Sequence, residues 1–550
     1  MLKVTHRFKI GFFVLMVICA AGAVGAACLS AAEEVEFKKH ESGLFSDIFD
    51  QNIYYEGTGS LHLERLGRLV FRKKVRAEDV NVYDEVPDSN FFTNRHTKNR
   101  LSLDELEKGY HETDTPDASG VLTVTQGKFA GAHPGFRIQD GRGDTYMLKF
   151  DPIDYFEQAT AAEVITSRFY HALGYNVPQY TIFVFDAAKL TPGEKAEIYD
   201  DTGFKRKLTK ERLDEFLLFL PQDTEGRYRA SASKYLQGKN LGSFSLQGRR
   251  TNDPDDPVNH SDRREIRALR VFSSWLANYD IRESNTMDIL QTEKGRQSLK
   301  HYIFDFNASL GAGTDVGKPP MCGYEYLIDY GEAIKAFLTL GLWEKPWQKR
   351  WREAGEKVNQ SPAVGYFDNN GFEPGKFKNQ FPYFAFKDLT RADGFWAAKM
   401  IMTFKDDEIR AMVKSGQFSR KEDADYVAQT LIERRDIIGR YWFSVSNPLD
   451  EFDLKNDQLV FKDLAIVYGF EQAQGTTYHV NVIGRSGKKK IKNASLQSQK
   501  PSLTIDPNWL ASRDSVDLWI RTTRNPSSPK SPYVLVSFNS QGITRIIHQD

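Results

Sequence analysis

The spacing of apolar residues changes several times along the chain, and each change predicts a different element. Between Val121 and Phe150, short apolar alternations (Leu122 to Thr125, Phe136 to Ile138, Tyr146 to Phe150) are separated by turns from Gly127 to Gly135 and from Asp140 to Asp144. A period of two with glycine-rich turns predicts an antiparallel meander. The period then lengthens: Ala159, Ala162, Ile165, Phe169 and Ala172 recur every three or four residues, and Leu173-Gly174 ends the run, which predicts a helix. Pro178 precedes a predicted strand, Tyr180 to Phe185. Beyond it the pattern predicts a charged helical piece near Lys210 to Phe219, a strand from Tyr228 to Tyr235, and a polar loop, Asn252-Asp253-Pro254-Asp255-Asp256-Pro257, whose turn residues suit a hinge.

Helical spacing returns from Arg264 to Ala277 (Leu269, Phe272, Trp275) and from Ala392 to Tyr441 (Phe395, Met400, Ile401, Tyr426, Leu431, Ile438). After Asn447-Pro448 the texture becomes short alternating strands, including Val516 to Ile520 and Tyr533 to Ser537, which predicts a separate β-sandwich. Residues 33–119 mix short alternations such as Arg68-Leu69-Val70-Phe71 and Val80-Asn81-Val82-Tyr83 with the turn Pro87-Asp88-Ser89-Asn90, and read as an extension lying against the main domain. Trp343, Trp347 and Trp351 stand at helical spacing; packing between helices is the expected reading, a ligand platform the alternative. The expected fold class is α+β, with an insertion-bearing sheet unit over 120–257, a helical unit over 258–446 and the sandwich over 447–550.

Charge changes the picture first at the N-terminus. Lys3, Arg7 and Lys9 precede an uncharged run from Ile10 to Ala32 that turns small and Ala-rich, the layout of a signal peptide over residues 1–32. The run is also long enough to stay as an anchor, and Cys28 offers lipid attachment as a third route, although Gly25-Ala26-Ala27 before it lacks the usual leucine. Because positive flanks stay cytoplasmic, the expected location is exported, in the periplasm or on the outer face of the envelope. The whole chain balances 74 Lys+Arg against 74 Asp+Glu, which gives no electrostatic footprint for nucleic acid. Of Cys19, Cys28 and Cys322, only Cys322 lies beyond the leader, so no disulfide framework is expected within the body. The basic turn of Lys488-Lys489-Lys490 with Arg485 and Lys492 reads as a solvated loop, with an anionic polymer or a membrane surface as the alternative contact.

Candidate chemistry falls in an informative order. A glycine-bearing hairpin (Gly127, Gly131, Gly135) leads into the strand lysine Lys149; the next helix carries Glu157 and Glu163; then come Asp280-Ile281-Arg282-Glu283-Ser284-Asn285 and, after Tyr302-Ile303, Phe304-Asp305-Phe306-Asn307. Each residue type has a use in phosphoryl transfer: a strand lysine clamps phosphates, a helix carboxylate holds that lysine, one Asp orients an acceptor hydroxyl, and an Asn with a second Asp binds metal ions. No His-Glu-x-x-His, Cys-x-x-Cys, Walker-type or Gly-x-Ser-x-Gly spacing supports another chemistry.

This order resembles the protein-kinase superfamily. Asp280 to Asn285 is similar to the kinase catalytic loop and Asp305-Phe306-Asn307 to its metal-binding Asp-Phe-Gly. The Glu163 helix ending Leu173-Gly174-Tyr175-Asn176-Val177-Pro178 resembles bacterial HipA-like kinases, and the stretch from Val121 to Phe443 resembles uncharacterised exported bacterial kinase-like proteins. The resemblance implies a bilobal protein-kinase-like domain, with a small antiparallel-sheet lobe and a helical lobe, that takes ATP or another nucleotide and Mg2+. It implies Lys149 on the phosphates, Glu163 paired with Lys149, Asp280 as catalytic carboxylate with Arg282 beside the transferred phosphate, Asn285 and Asp305 on the metal, and Gly127 and Gly131 covering the nucleotide. Asn278-Tyr279 replaces the usual His-Arg, and Asn307 replaces the usual Gly, a departure that is tolerable because Asn visits positive φ cheaply. The acceptor, protein or small molecule, is left open; a catalytically inactive envelope scaffold is the alternative reading.

Overall fold

A computed structural model describes residues 37–54, 75–110, 115–128, 134–199, 204–313 apart from 251 and 294, 317, 321–349 apart from 346, 352, 361–486 apart from 456, and 489–550 apart from 510–513 and 526. The leader, Arg68–Phe71, Gly131, Trp351 and Lys488 lie outside these residues. Among the described residues, two short α-helices precede the first strand, α1 (Leu44–Phe49) and α2 (Leu103–Lys108). The second starts at a capping box: the Ser102 amide donates to Glu105 Oε2 at 2.8 Å while the Glu105 amide donates to Ser102 Oγ at 3.3 Å, which satisfies amides that a helix start otherwise leaves open.

Seven strands then build one sheet: β1 (Leu122–Lys128), β2 (Gly135–Gln139), β3 (Thr145–Phe150), β4 (Tyr180–Phe185), β5 (Leu190–Tyr199), β6 (Lys205–Lys207) and β7 (Tyr228–Lys234), in the order β4-β7-β3-β2-β1-β5-β6. Neighbours are antiparallel except β1 and β5, which run parallel. In β3, Tyr146, Leu148 and Phe150 are buried and alternate with partly buried Thr145, Met147 and Lys149. The buried set packs with Phe136, Ile198 and Phe216, the last from helix α4 (Lys210–Leu217). Helix α3 (Gln158–Leu173) packs against β3, β4 and β7. The sequence pattern does not announce β5, because Pro192, Gly193, Glu194 and Lys195 interrupt its alternation; its pairing with β1 supplies what propensity lacks.

A smaller sheet has β9 (Thr286–Glu293) at its centre, paired on one side with β10 (Arg296–Ile303) and on the other with the two-residue β8 (Lys239–Asn240). Around them lie α5 (Arg264–Leu276), α6 (Tyr330–Leu338), α7 (Arg391–Met402), α8 (Asp406–Lys414) and α9 (Lys421–Val445). Leu269, Phe272, Trp275, Phe395, Ile401 and Leu431 share one core with Ile165 and Phe169 of α3 and with Phe91 and Phe92 of the N-terminal extension. Trp275 is fully buried and donates its indole N–H to Leu431 O at 2.8 Å, so this polar edge costs nothing in desolvation.

One expectation from spacing is corrected here. Trp343 lies outside any helix and is exposed, its indole donating to Glu332 Oε2 at 2.8 Å, so this ring is not packing between helices; Trp347 is half-buried and donates to Glu325. The loop at 252–257 contains buried Asp256, which takes Arg263 Nη2 at 2.8 Å and His260 Nε2 at 2.8 Å. Its turn residues describe the backbone and say nothing of the buried charge.

The C-terminal stretch contains β11 (Leu449–Lys455), β12 (Gln458–Asp463), β13 (Thr477–Ser486), β14 (Lys489–Ser498), β15 (Ser502–Thr504), β16 (Ser515–Thr523), β17 (Val534–Asn539) and β18 (Gly542–His548). They form sheets of order β11-β12-β15 and β14-β13-β16-β17-β18, which share a core that includes Leu459, Phe461, Val480, Leu518, Val536 and Phe538. This unit is tied to the rest: the Ile546 amide donates to Val82 O at 2.7 Å, and His548 meets Asp84 Oδ2 with its amide and with Nδ1, each at 2.9 Å.

Candidate active site

Lys149 stands on the face of β3 turned away from the Phe136–Phe216 core, toward α3. Its ammonium reaches two carboxylates, Glu163 Oε1 and Asp305 Oδ1, each at 2.8 Å. The three come from a strand, a helix and a turn far apart in sequence. Glu163 is buried within α3, and its other oxygen accepts the hydroxyl of Ser231 on β7. Burial opposes a charge on Lys149, yet Asp305 and Glu163 outweigh it and hold the ammonium's pKa above its usual value. Glu157 has a different role: at the start of α3, with φ of 72°, it accepts the Ser419 amide and hydroxyl and does not reach Lys149.

The second part is the loop after α5. The helix ends on Ala277 in the left-handed region, φ 47°, which turns the chain into Asn278–Asn285. Asp280 Oδ1 meets Arg282 Nη1 at 2.9 Å, and Asn285 Nδ2 donates to Asp280 O at 2.9 Å and to its Oδ2 at 3.2 Å. With Nδ2 so engaged, Asn285 Oδ1 is the side-chain atom left to serve as a ligand. The Phe304 amide donates to Asn285 O at 3.1 Å, which fastens this loop one residue ahead of Asp305. Arg282 Nη1 also donates to Gln380 Oε1 at 3.3 Å.

The third part is the turn that carries Asp305. Asp305 itself has φ of 67°, and its amide donates to Tyr180 Oη at 3.2 Å. A left-handed non-glycine residue costs about 1–2 kcal/mol, so two of them, Ala277 and Asp305, must be held by surrounding contacts. The expectation that Asn307 takes the positive φ is corrected: the strain falls on Asp305, and Asn307 is not among the left-handed residues. Between them Phe306 is fully buried, stacked on Tyr170 at 5.1 Å and edge-on to Tyr180 at 5.8 Å.

The glycines separate. Gly127 pairs with Phe136 across β1 and β2, and a Cβ there would come 3.1 Å from the Ile198 side chain, so Gly127 faces the sheet core on the side opposite Lys149. Gly135 is the glycine that shares the Lys149 face: it pairs with Lys149, and a Cβ would meet Leu148 O at 2.6 Å. Gly131 lies outside the described residues. Ser231, Tyr180 and Gln380 complete the site and were not singled out from sequence, because a lone hydroxyl or amide on a strand or loop carries no spacing signal.

Among the described residues no group of three or more His, Cys, Asp or Glu is arranged to hold a metal alone. Magnesium takes one or two carboxylates and completes its shell with water and phosphate oxygens. Asp305 and Asn285 are a donor set of that kind, and Lys149 is a fixed cation beside them.

No protein-family model and no curated protein matches the sequence. Among solved structures, a Helicobacter pylori proinflammatory kinase, CtkA, aligns over 61% of this chain and 100% of its own with 11% identity and a TM-score of 0.32. The Golgi casein kinase aligns over 62% of this chain and 74% of its own, with 10% identity and a TM-score of 0.27. The same kinase with Mn/ADP bound aligns over 75% of this chain and 93% of its own, with 12% identity and a TM-score of 0.27.

Proposed function

We propose that this chain is an exported, atypical kinase that transfers a phosphoryl group from a nucleotide, with magnesium, to a hydroxyl of an envelope protein or small molecule. The single observation that carries the reading is the bridge of Lys149 between Glu163 and Asp305, next to a loop that holds Asp280 and Asn285 together. In this reading the seven-stranded sheet with α3 is the small lobe and α5 to α9 belong to the large one.

When bound, the nucleotide supplies the phosphoryl group and magnesium neutralises charge on its oxygens. Lys149, kept protonated by its two carboxylates, offsets phosphate charge from a position that α3 fixes, so it needs no reorganisation during reaction. Asp305 and Asn285 Oδ1 are the residues that would hold the metal, whose charge would offset that of the phosphate oxygens. Asp280 orients the acceptor hydroxyl and takes up its proton, while Arg282 holds the carboxylate in place and supplies positive charge toward the acceptor side. Gly135 lets β2 pass close to Leu148 O beside Lys149, where a Cβ would not fit.

The test is the unfolding temperature of the protein with ATP and magnesium. A nucleotide at about 100 times its dissociation constant stabilises by about 2.7 kcal/mol. Asp305→Ala is expected to remove a magnesium-dependent rise while leaving the fold intact; an equal rise in the variant would sink the site assignment. Absence of any nucleotide effect in the wild type would favour a binding scaffold.

A further inference from the structure

Helix α6 has no buried residue, although four of its nine residues are large and apolar or aromatic (Tyr330, Ile334, Phe337, Leu338). Phe337 is 79% exposed, Leu338 73%, and beyond the helix Leu340 91% and Leu342 88%. Such values belong to side chains that protrude, not to the floor of a groove. Isolated exposed leucines need no explanation, but a continuous set of this kind does. It has a neighbour: Tyr330 Oη donates to Asn52 O at 2.9 Å, which sets α6 beside α1 and its extension, where Phe45, Phe49, Ile53 and Tyr54 are also exposed.

The patch is bolted to the acceptor side of the candidate site. Asp329, whose carboxylate caps α6, binds Lys378 Nζ at 2.6 Å, and two residues on, Gln380 receives Arg282 and donates its amide to Tyr279 O at 2.9 Å. From the other segment, Asp47 Oδ2 accepts the Ser284 amide at 3.1 Å, inside the Asp280–Asn285 loop.

We propose that this rim seats the protein on a lipid bilayer, with the Asp280 loop held at headgroup level. Three observations select a bilayer over a protein partner. The protruding aliphatic and phenyl groups are followed by Trp343 and Trp347, while the nearby cations Lys335, Lys345 and Arg352 are paired with Glu332, Glu325 and Glu344, so the aliphatic and aromatic groups are what suit a membrane interface. Helix α6, at nine residues, is too short to cross a bilayer and can only lie along one. And the uncharged run Ile10–Ala32 ends eleven residues before Leu44, a tether of at most about 40 Å if the run is retained. The docking does not depend on phosphoryl transfer; its consequence, that the acceptor hydroxyl is carried on a lipid or another membrane-borne molecule, rests on the function proposed above.

Hydrogen exchange of the full chain, without vesicles and on vesicles of phosphatidylcholine alone or mixed with phosphatidylglycerol, tests this. Amides of residues 330–343 are expected to exchange about tenfold more slowly on vesicles, with α9 unchanged, and the triple variant Phe337→Glu, Leu340→Glu, Leu342→Glu is expected to lose that slowing while remaining folded. Sedimentation with vesicles without slowing at 330–343 means that the N-terminal run alone binds, and overturns the proposal. Slowing that follows protein concentration without vesicles overturns it in favour of a second copy of the chain. Asp305→Ala is expected to retain the full vesicle effect, which separates failure of docking from failure of the nucleotide site.

Discussion

Two clusters of buried charge in this molecule look alike in composition and differ in what they can do. At the candidate site Lys149 joins Glu163 and Asp305; at the junction of the extension, α5, α7 and the C-terminal sheets, Arg264 joins Asp84 Oδ1 and Asp393 Oδ1, both at 3.0 Å, with His548 on Asp84 and Arg267 on Asp393. Side-chain exposure separates them: Asp305 27%, Lys149 20%, Asp280 and Arg282 16% each, against 1% for Arg264 and Asp84 and 0% for Asp393. One cluster has an open edge and the other is sealed. A cavity of about 820 Å3 does lie at the junction, lined by Glu85, Trp396, Lys399 and Asp450 among others, but Lys399 is spent internally, paired with both Glu85 and Asp450. Perturbed charge, strained backbone or volume does not by itself mark a functional site, since Asp84 of the sealed cluster is left-handed as well, with φ of 64°; the side chains left partly open to solvent are what set the candidate site apart.

The contrast breaks most sharply on two substitutions. On the proposed function Asp280→Asn lowers turnover by about 10²–10⁴-fold while nucleotide still raises the unfolding temperature, because it removes the proton acceptor and leaves Lys149, Glu163 and Asp305 intact. Arg264→Met at the sealed cluster does the reverse: stability in urea falls by about 3–5 kcal/mol because Asp84 and Asp393 lose their shared partner. Burial works against the Asp84 carboxylate, but Arg264, His548 and Arg76 hold its pKa well below the usual range. A depressed folded pKa contributes stability above the unfolded value and loses it as pH falls, so the gap between wild type and Arg264→Met is expected to be constant above about pH 5 and to shrink in acid.

How much of this was legible in the sequence follows the same division. Lys149, Glu163, Asp280, Asn285 and Asp305 could be picked out because their order along the chain resembles that of the protein-kinase superfamily; taken singly, none of them stands out by spacing. The meander, α3 and α5 were legible from periodicity. What stayed hidden depends on contacts between distant segments. Ser231 meets Glu163 only because β7 inserts between β3 and β4, and Asp47 meets the 280–285 loop from 237 residues away in sequence. Nor does periodicity tell a buried stripe from an exposed one, which is why Trp343 was placed in a core. Gly127 was misjudged in its face, since only the register with Phe136 shows which way it points.

A third buried group sharpens the comparison from inside the candidate site. Glu283 lies in the Asp280–Asn285 loop, accepts Ser245 Oγ at 2.8 Å and the Leu246 amide at 2.9 Å, and has its pKa pushed up to about 7, chiefly by burial and further by Asp47 and Asp50, against those two hydrogen bonds. A raised folded pKa gives stability that is complete below the unfolded value and lost as pH rises through the folded one. Wild type is therefore expected to lose on the order of 3 kcal/mol relative to Glu283→Gln between about pH 4 and pH 8, in urea unfolding across that range. A flat difference would mean that the carboxylate is ionised throughout, and would place Glu283 with the sealed charges.

The smallest expected effect probes how the open cluster is held. Glu163 is buried as deeply as the sealed carboxylates, and Ser231 is the neutral group that shares it with Lys149. Ser231→Ala leaves Lys149 in place but strips one donor from a buried carboxylate, at a cost of about 1.5 kcal/mol, the low end for hydrogen bonds to charged groups because the ammonium still compensates. The larger consequence is positional. Without the hydroxyl, Glu163 is free to shift along α3's inner face, Lys149 follows it, and nucleotide affinity is expected to weaken by about tenfold, with Ser231→Thr restoring it because the hydroxyl returns. If stability falls and affinity does not, Ser231 only satisfies Glu163, and the lysine is positioned by Asp305 alone.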